Sequence, residues 1–282
     1  MDDHAKRLCF RDILKAPGGT IAPSAPDPMF ARLIQDCGYD LFHLAGNGMH
    51  RSLALPDCSM VTMTEMAERA GTIAQVIDIP MLVDGETGYG GPLQTARAVR
   101  AFERAGVAGI RFEDSRFGQN GIDGERPPVP VPEYVDLIKA AVDARADSAL
   151  VLAVRCDARA TESRERVLDR IHAYVDAGID AVGIHLSEAV EHQWFGAQAP
   201  VPLMNPWPRA GIQTLAEFFA LGFKVALVTS SVSMAALAAA RTMLRELKTT
   251  GTQDDYFSRV ENFDEVRRWY RDLGFRPTKP FG

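Results

Sequence analysis

The sequence predicts an α/β fold, a single (β/α)8 TIM barrel that spans residues 1–282 and carries extra helices at its C-terminal end. Eight short runs rich in β-branched or apolar residues alternate with longer helical patterns, as in repeated βα units that build a parallel sheet. Several helices also end in a similar four-residue phrase with Gly at its second position. At 282 residues the chain has the length of one such barrel.

The predicted strands and helices follow one another in regular alternation. The strands are expected at residues 19–23, 40–45, 80–84, 109–113, 150–155, 181–185, 201–205 and 224–229. An N-terminal helix is expected at about 4–15, and further helices at 27–37, 64–76, 93–105, 133–145, 164–177 and 212–221. Residues 231–282 form a C-terminal extension, with helices at 232–248, 254–259 and 264–273. No low-complexity linker divides the chain, so one domain is expected.

The recurring phrase places Gly38, Gly106, Gly178 and Gly222 shortly before a predicted strand. Glycine readily adopts the left-handed conformation that ends a helix, so these positions read as joints between a helix and the next strand. Open doubly wound sheets use similar joints. The phrase therefore supports the α/β class, and the count of eight strands supports closure into a barrel.

Composition and charge exclude several kinds of partner. A net charge of −6 without a basic run argues against nucleic acid. The apolar stretches are short and interrupted, and the first residues lack an apolar signal core, so we expect no membrane span and a cytoplasmic location. The four cysteines stand far apart without a CxxC pair, which predicts neither a zinc site nor a disulfide framework.

Acidic residues gather where predicted strands end. Asp84 ends the third strand with Glu86 just after it, Glu113 ends the fourth, and Asp57 lies in the loop after the second. The carboxyl ends of barrel strands converge on the active site. Crowded carboxylates repel one another unless a cation neutralises them, and oxygen ligands suit Mg²⁺. The alternative is that these acids cap helices or pair with nearby arginines, namely Arg97, Arg111 and Arg116.

Other polar groups fall at the same strand ends. Arg155 could bind a substrate carboxylate through its fork, or form a salt bridge to Asp157 or Glu113. His185 could contact substrate or simply pack, and His50 is a minor candidate. The glycine-rich turn at 85–91 allows close approach of the backbone to a ligand, and consecutive N–H groups at 45–48 could form an anion nest.

Five ordered motifs resemble those of the isocitrate lyase/phosphoenolpyruvate mutase superfamily. Residues 84–90 (DGETGYG) resemble its D-x-D-x-G-Y-G turn, 112–114 (FED) its I-E-D, and 154–158 (VRCDA) its A-R-T-D-A. The segments 56–57 (PD) and 202–205 (PLMN) match in the expected order. The resemblance covers the chain from the first strand to the eighth. It implies Mg²⁺-dependent chemistry on small 2-oxo or 2-hydroxy acids, with Mn²⁺ as a second candidate ion. It also implies a dimer or tetramer in which the eighth helix is swapped between subunits.

The same resemblance assigns roles to individual positions. It implies Asp84 as the direct metal ligand, with Asp57, Glu86 and Glu113 holding the ion directly or through water. The substrate-binding positions are Ala45, Gly46, Asn47, Arg155, His185 and Asn205, and the catalytic positions are Arg155, Tyr89, Glu113 and Asn120, with Tyr89 or a metal-bound water as the candidate proton donor. Glu86 departs from the second Asp of the family turn, and Ala45 stands where the mutases usually carry Ser.

The segment after the fourth strand separates the branches of the superfamily. Residues 115–124 lack the Cys of the K-[KR]-C-G-H segment of isocitrate and methylisocitrate lyases and both lysines of the mutase segment E-D-K-x-F-P-K-x-N-S. Members similar to oxaloacetate decarboxylase lack both signatures. We therefore expect a lyase that cleaves a C–C bond of a 2-oxo or 2-hydroxy dicarboxylate through a metal-stabilised enolate. The alternatives are C–P chemistry on phosphonopyruvate, which Asn120 suggests, and a barrel that binds a metabolite without catalysis.

Overall fold

The computed structural model describes residues 1–116, 127–186, 188–207 and 214–273, and within these ranges it shows eight parallel strands around a barrel. Adjacent strands pair in the order β1-β8-β7-β6-β5-β4-β3-β2, and a parallel bridge between Ser24 and His43 brings the two edges together. The strands are β1 (Thr20–Pro23), β2 (Phe42–Leu44), β3 (Met81–Asp84), β4 (Gly109–Glu113), β5 (Val151–Cys156), β6 (Ala181–Ile184), β7 (Leu203–Pro206) and β8 (Phe223–Val228). The predicted barrel and its eight strands are confirmed.

Twelve α-helices lie in the described ranges. They are α1 (Asp3–Lys15), α2 (Pro28–Asp36), α3 (Gly46–Ser52), α4 (Met63–Ala74), α5 (Pro92–Arg104), α6 (Val131–Ala144), α7 (Arg164–Asp176), α8 (Ala189–Gln198), α9 (Leu215–Ala220), α10 (Ser231–Thr250), α11 (Asp254–Phe257) and α12 (Phe263–Asp272). Sequence reasoning did not predict α3 and α8. Local sequence signals explain where several of these helices begin. Asp27 caps the N-terminus of α2 ahead of a proline, and Thr62 and Thr214 cap α4 and α9 through capping boxes.

Glycines end four of these helices in the left-handed region, as the recurring phrase predicts. The φ angles are 85° at Gly38, 83° at Gly106, 108° at Gly178 and 97° at Gly222. A side chain at such an angle would strain the backbone, which explains why glycine recurs at these joints.

Helix α1 seals the end of the barrel where the strands begin. Its Phe10 and Leu14 are buried among the apolar residues that fill the barrel interior. Three basic side chains of α1 donate to backbone carbonyls around that end: Lys6 Nζ to the oxygen of Ile77 at 2.7 Å, Arg7 Nε to that of Val107 at 3.1 Å, and Arg11 Nε to that of Ala149 at 2.9 Å. Open access is therefore left to the opposite end, where the strands finish.

The C-terminal helices lie on the outside of the barrel. Helix α10 has twenty residues and buries none of them, and its Met234, Leu237 and Leu244 are each more than half exposed. Trp269 of α12 donates from Nε1 to Asp36 at 2.8 Å, which ties the last described helix to α2. The swap of the eighth helix between subunits stays a prediction. Among the described residues, no helix combines the length and apolar character needed to cross a bilayer.

Candidate active site

A small cavity of about 140 Å³ opens at the end of the barrel where the strands finish. Polar side chains from six strands or the loops after them surround it, as expected for a (β/α)8 barrel. The lining residues are Ala45, Gly46, Asn47, Asp57, Asp84, Glu86, Arg111, Glu113, Arg155, His185, Pro206 and Thr229. Nine of the twelve positions that the resemblance assigns therefore meet at one cavity.

Asp84 is held at the end of β3 by four hydrogen bonds. Its Oδ1 accepts from Arg111 Nε at 3.0 Å, from Arg111 Nη2 at 2.9 Å and from His43 Nε2 at 3.0 Å. Its Oδ2 accepts from the backbone N–H of Gly46 at 2.9 Å. Although burial alone would raise the pKa of Asp84, the Arg111 charge and these hydrogen bonds hold it well below the usual range. The carboxylate is thus ionised, and the pairing with Arg111 that the sequence left open as an alternative is present.

Arg111 and His43, which were not predicted as site residues, both donate hydrogen bonds to Asp84. Arg111 lies in register with Asp84 on the neighbouring strand. Residues 109, 111 and 113 of β4 point into the barrel, whereas 110 and 112 point to the helices, so the Arg111 side chain faces the same interior as Asp84. His43 is fully buried, and burial lowers its pKa. The imidazole is therefore neutral and donates its Nε2 hydrogen to the carboxylate. Strand alternation could have flagged Arg111, but its partner depends on the register between strands.

Arg155 forms the second cationic group of the cavity. Its Nη1 lies 2.6 Å from Glu113 Oε1, while Nε and Nη2 form a fork with Asp157 at 3.0 and 2.7 Å. Burial alone would lower the pKa of Arg155, but the carboxylates of Glu113 and Asp157 outweigh it and raise that pKa. The guanidinium stays charged with a fixed orientation at the cavity wall, so the salt bridges that the sequence left open are both formed.

Asp114, which follows Glu113, points away from the cavity. It accepts from the Tyr174 hydroxyl on α7 at 3.0 Å and from the backbone N–H of Asp157 at 2.8 Å. Successive side chains of a strand point to opposite faces, so only one of two neighbouring acids can reach the barrel mouth.

Glu86 is the carboxyl group of the site whose ionised form is disfavoured by its surroundings. Burial raises its pKa well above the usual value, and the neighbouring carboxylates of Glu113 and Asp84 raise it further. Four carboxyl groups and two guanidinium groups line the cavity, so one divalent cation would balance the formal charge. Within the described ranges, no three His, Cys, Asp or Glu side chains are arranged to enclose an ion. The carboxylate oxygens at the cavity suit Mg²⁺, which takes one or two carboxylates and keeps several waters.

The segment after β2 begins helix α3 instead of forming a free loop. The N–H of Gly46 is taken up by Asp84, and a Cβ at this position would collide with the carboxyl group of Glu86. A larger residue here would displace the Glu86 carboxyl group from its place at the cavity. Asn47 also lines the cavity, and its Oδ1 is buried without a hydrogen-bond partner among the described residues. Asn47 is therefore the residue of this segment with hydrogen-bonding capacity left for a ligand.

His50 positions the loop that carries Asp57. Its Nε2 accepts from the backbone N–H groups of Met60 and Val61 at 3.0 and 3.1 Å. The hydrogen must then reside on Nδ1, which donates to the Gly46 carbonyl at 2.8 Å. Asp57 Oδ1 lies 3.7 Å from the same nitrogen. The buried imidazole thus joins helix α3 to the 57–61 loop and keeps Asp57 at the cavity.

The remaining predicted residues lie elsewhere. Asn205 is buried at the end of β7, where Nδ2 donates to the Ile184 carbonyl at 2.6 Å and Oδ1 accepts from its N–H at 2.8 Å. Its amide clamps β7 to β6, and Asn205 is not among the residues that line the cavity. Tyr89 packs against Phe102 and lines a neighbouring pocket, and burial raises the pKa of its hydroxyl. Its role as a proton donor stays a prediction. Exposed His185 stands at the cavity rim, and Asn120 lies outside the described residues.

The chain is similar to known proteins over nearly its whole length. The family described as phosphoenolpyruvate phosphomutase matches residues 10–248. The 2-methylisocitrate lyase of Aeropyrum pernix is 31% identical over 268 residues, which cover 92% of this chain and 86% of the relative. The oxaloacetate decarboxylase of Chromohalobacter salexigens is 30% identical over 280 residues, 95% of this chain and 96% of the relative. A crystal structure of phosphonopyruvate hydrolase with oxalate and Mg²⁺ superposes with a TM-score of 0.83 at 25% identity, over 99% of this chain and 100% of that one.

Proposed function

This chain belongs to the phosphoenolpyruvate phosphomutase family, and on that premise we propose that it cleaves a C–C bond of a small 2-oxo or 2-hydroxy dicarboxylic acid, with oxaloacetate decarboxylation as the leading reaction. The observation that carries the proposal is the meeting of Asp57, Asp84, Glu86 and Glu113 with the Arg155 guanidinium at one cavity. Both curated relatives reported above are carbon–carbon lyases by name. A cavity of about 140 Å³ lies below the roughly 300–1,000 Å³ of pockets for larger ligands, which favours a small acid.

We propose Mg²⁺ as the cofactor, with Mn²⁺ able to replace it. Asp84 would hold the ion directly, with Asp57, Glu86 and Glu113 contributing directly or through water. The excess of carboxyl groups supports this assignment, as does the ion in the related hydrolase structure. A bound divalent ion supplies Lewis-acid stabilisation of negative charge on a substrate oxygen.

The residues of the chain itself provide the rest of the chemistry. In oxaloacetate the bond between C3 and its carboxylate breaks, CO2 leaves, and the electron pair of that bond forms an enolate with its charge on the C2 oxygen. A proton added at C3, ultimately from water, then gives pyruvate. The Arg155 guanidinium, fixed by Glu113 and Asp157, presents a permanent positive charge at the cavity wall. Such a preorganised charge stabilises the enolate more than the neutral ketone and so lowers the barrier. We expect Asn47 and His185, which line the cavity, to orient the carboxylates of the substrate.

Turnover assays with three substrates test the proposal. The protein is incubated with oxaloacetate, 2-methylisocitrate or phosphonopyruvate, with Mg²⁺ or with a chelator, and pyruvate formation or consumption of substrate is followed. We expect Mg²⁺-dependent pyruvate release from oxaloacetate that is lost in Asp84→Asn and retained in Glu68→Gln, a change of an exposed acid on α4. Preferred turnover of phosphonopyruvate would establish the C–P alternative instead. Binding of oxalate without turnover of any of the three would establish a barrel that binds a metabolite without catalysis.

A further inference from the structure

We propose that Arg111 is a fixed cation at the floor of the cavity that disfavours binding of a divalent ion alone and makes the ion and an anionic ligand bind cooperatively. The inference rests on the proposed function, because it concerns the same cavity and the ion assigned to it. Arg111 is thereby a positioning residue that acts through Asp84 and through its charge.

The first step of the argument is the hydrogen bonding of Asp84. Its Oδ1 accepts three donors at 2.9–3.0 Å, two from Arg111 and one from His43, which leaves that oxygen no free lone pair. Its Oδ2 accepts from Gly46 at 2.9 Å and keeps a second lone pair. Asp84 can therefore offer a cation one oxygen, and Arg111 decides which one.

The second step concerns charge. A guanidinium does not lose its proton in proteins, and Arg111 is only 2% exposed, so its charge is permanent and poorly screened by water. Arg111 lines the same cavity as the four carboxyl groups, and register between β3 and β4 fixes its place beside Asp84. A divalent ion that enters this cavity meets a like charge that cannot move away, which lowers its affinity.

The third step concerns what the guanidinium still lacks. Its Nη1 is buried and has no hydrogen-bond partner among the described residues. A buried unpaired donor is costly, and an anion in the cavity lessens the electrostatic part of that cost. A bound dicarboxylate is attracted by the Arg111 charge and offsets the repulsion that this charge exerts on a cation. The anion therefore raises the affinity for the cation, and by the reciprocity of linked binding the cation raises the affinity for the anion.

Titration of Mn²⁺ by electron paramagnetic resonance, with and without oxalate, tests this inference without turnover. Oxalate serves as the small dianionic probe. In the wild-type protein we expect Mn²⁺ to bind weakly alone and at least about tenfold more tightly with saturating oxalate. Arg111→Gln, which removes the charge but retains an amide donor, should bind Mn²⁺ alone about tenfold more tightly than the wild type and lose most of the effect of oxalate. Arg111→Lys, which keeps the charge, should stay close to the wild type.

The possible outcomes separate this inference from the proposed function. Weaker or unchanged Mn²⁺ binding in Arg111→Gln overturns the role of Arg111 and leaves the metal site in place. No Mn²⁺ binding by any of the three proteins, with or without oxalate, overturns both. If Arg111→Gln is too unstable to titrate, the rise of its melting temperature on addition of Mn²⁺ is measured instead. That rise must exceed the rise in the wild-type protein, and a smaller one refutes the inference.

Discussion

Replacement of Asp84 by Asn is expected to damage stability as well as turnover, because it breaks a buried ion pair. The substituted amide leaves the Arg111 guanidinium, 2% exposed, without its counter-charge. Removal of one partner from a buried pair costs about 3–5 kcal/mol in the free energy of unfolding. Urea unfolding followed by circular dichroism measures this loss, and Mg²⁺-dependent pyruvate release from oxaloacetate measures activity on the same preparations.

A second substitution separates the two effects of Asp84→Asn. The double variant Asp84→Asn/Arg111→Met removes the stranded charge, so it should regain most of the lost stability while turnover stays abolished. Glu165→Gln serves as the control, since it breaks an exposed pair with Arg164 and should unfold at nearly the wild-type urea concentration. Equal stability of Asp84→Asn and the wild type would refute the ion-pair argument. Recovery of turnover in the double variant would refute the assignment of Asp84 to the reaction.

Three further predictions concern other parts of the molecule. Glu162→Gln should lower the free energy of unfolding by about 2 kcal/mol at pH 7, because Glu162 forms a fork with buried Arg170. Arg170 holds the pKa of Glu162 below its usual value, so the stabilisation by this pair is complete above about pH 4.3 and fades as the pH falls further. In denaturant titrations, the difference in the free energy of unfolding between Glu162→Gln and the wild type should therefore be smaller at pH 3 than at pH 7. Asn205→Ala should cost about 2–3 kcal/mol by urea unfolding, since two buried hydrogen bonds to Ile184 are lost, yet leave KM for oxaloacetate unchanged; a large rise in KM would restore its substrate-binding role. Leu244→Asp should shift the protein to a smaller species in light scattering, because exposed apolar residues of α10 form the expected subunit contact; an unchanged mass contradicts that contact.

The sequence was sufficient for the barrel because its signals are local and repeated. Each strand is a short apolar run, and the glycines at 38, 106, 178 and 222 mark joints through their backbone conformation alone. Helix α8 was missed because its buried residues, His192 and Phe195, do not form a clear apolar stripe in the sequence. Helix α3 was missed because four of its seven residues are polar or charged and two are glycines, so no apolar pattern marks it.

The acids of the candidate site were predicted from the sequence, whereas their pairing with arginines could only be left open as an alternative. Asp84 and Glu113 stand at strand ends that the sequence alone locates. The partnership of Arg111 and Asp84 depends on the register of β3 and β4, which no local pattern reveals. Asn205 is an example in the other direction. Its place in a family motif predicts contact with substrate, whereas in the structure its amide bonds the backbone of Ile184 on β6.

Because α1 closes one end of the barrel, the two ends should differ in how well they tolerate changes in sequence and loop length. Lys6, Arg7 and Arg11 donate to backbone carbonyls of three different joints, so insertions there would break these hydrogen bonds. The described loops at the opposite rim contribute side chains to the cavity, Asp57 and Glu86 among them. A library that randomises loop length around the mouth should therefore yield mostly soluble protein with altered substrate preference, whereas an equal library on α1 should yield mostly aggregates.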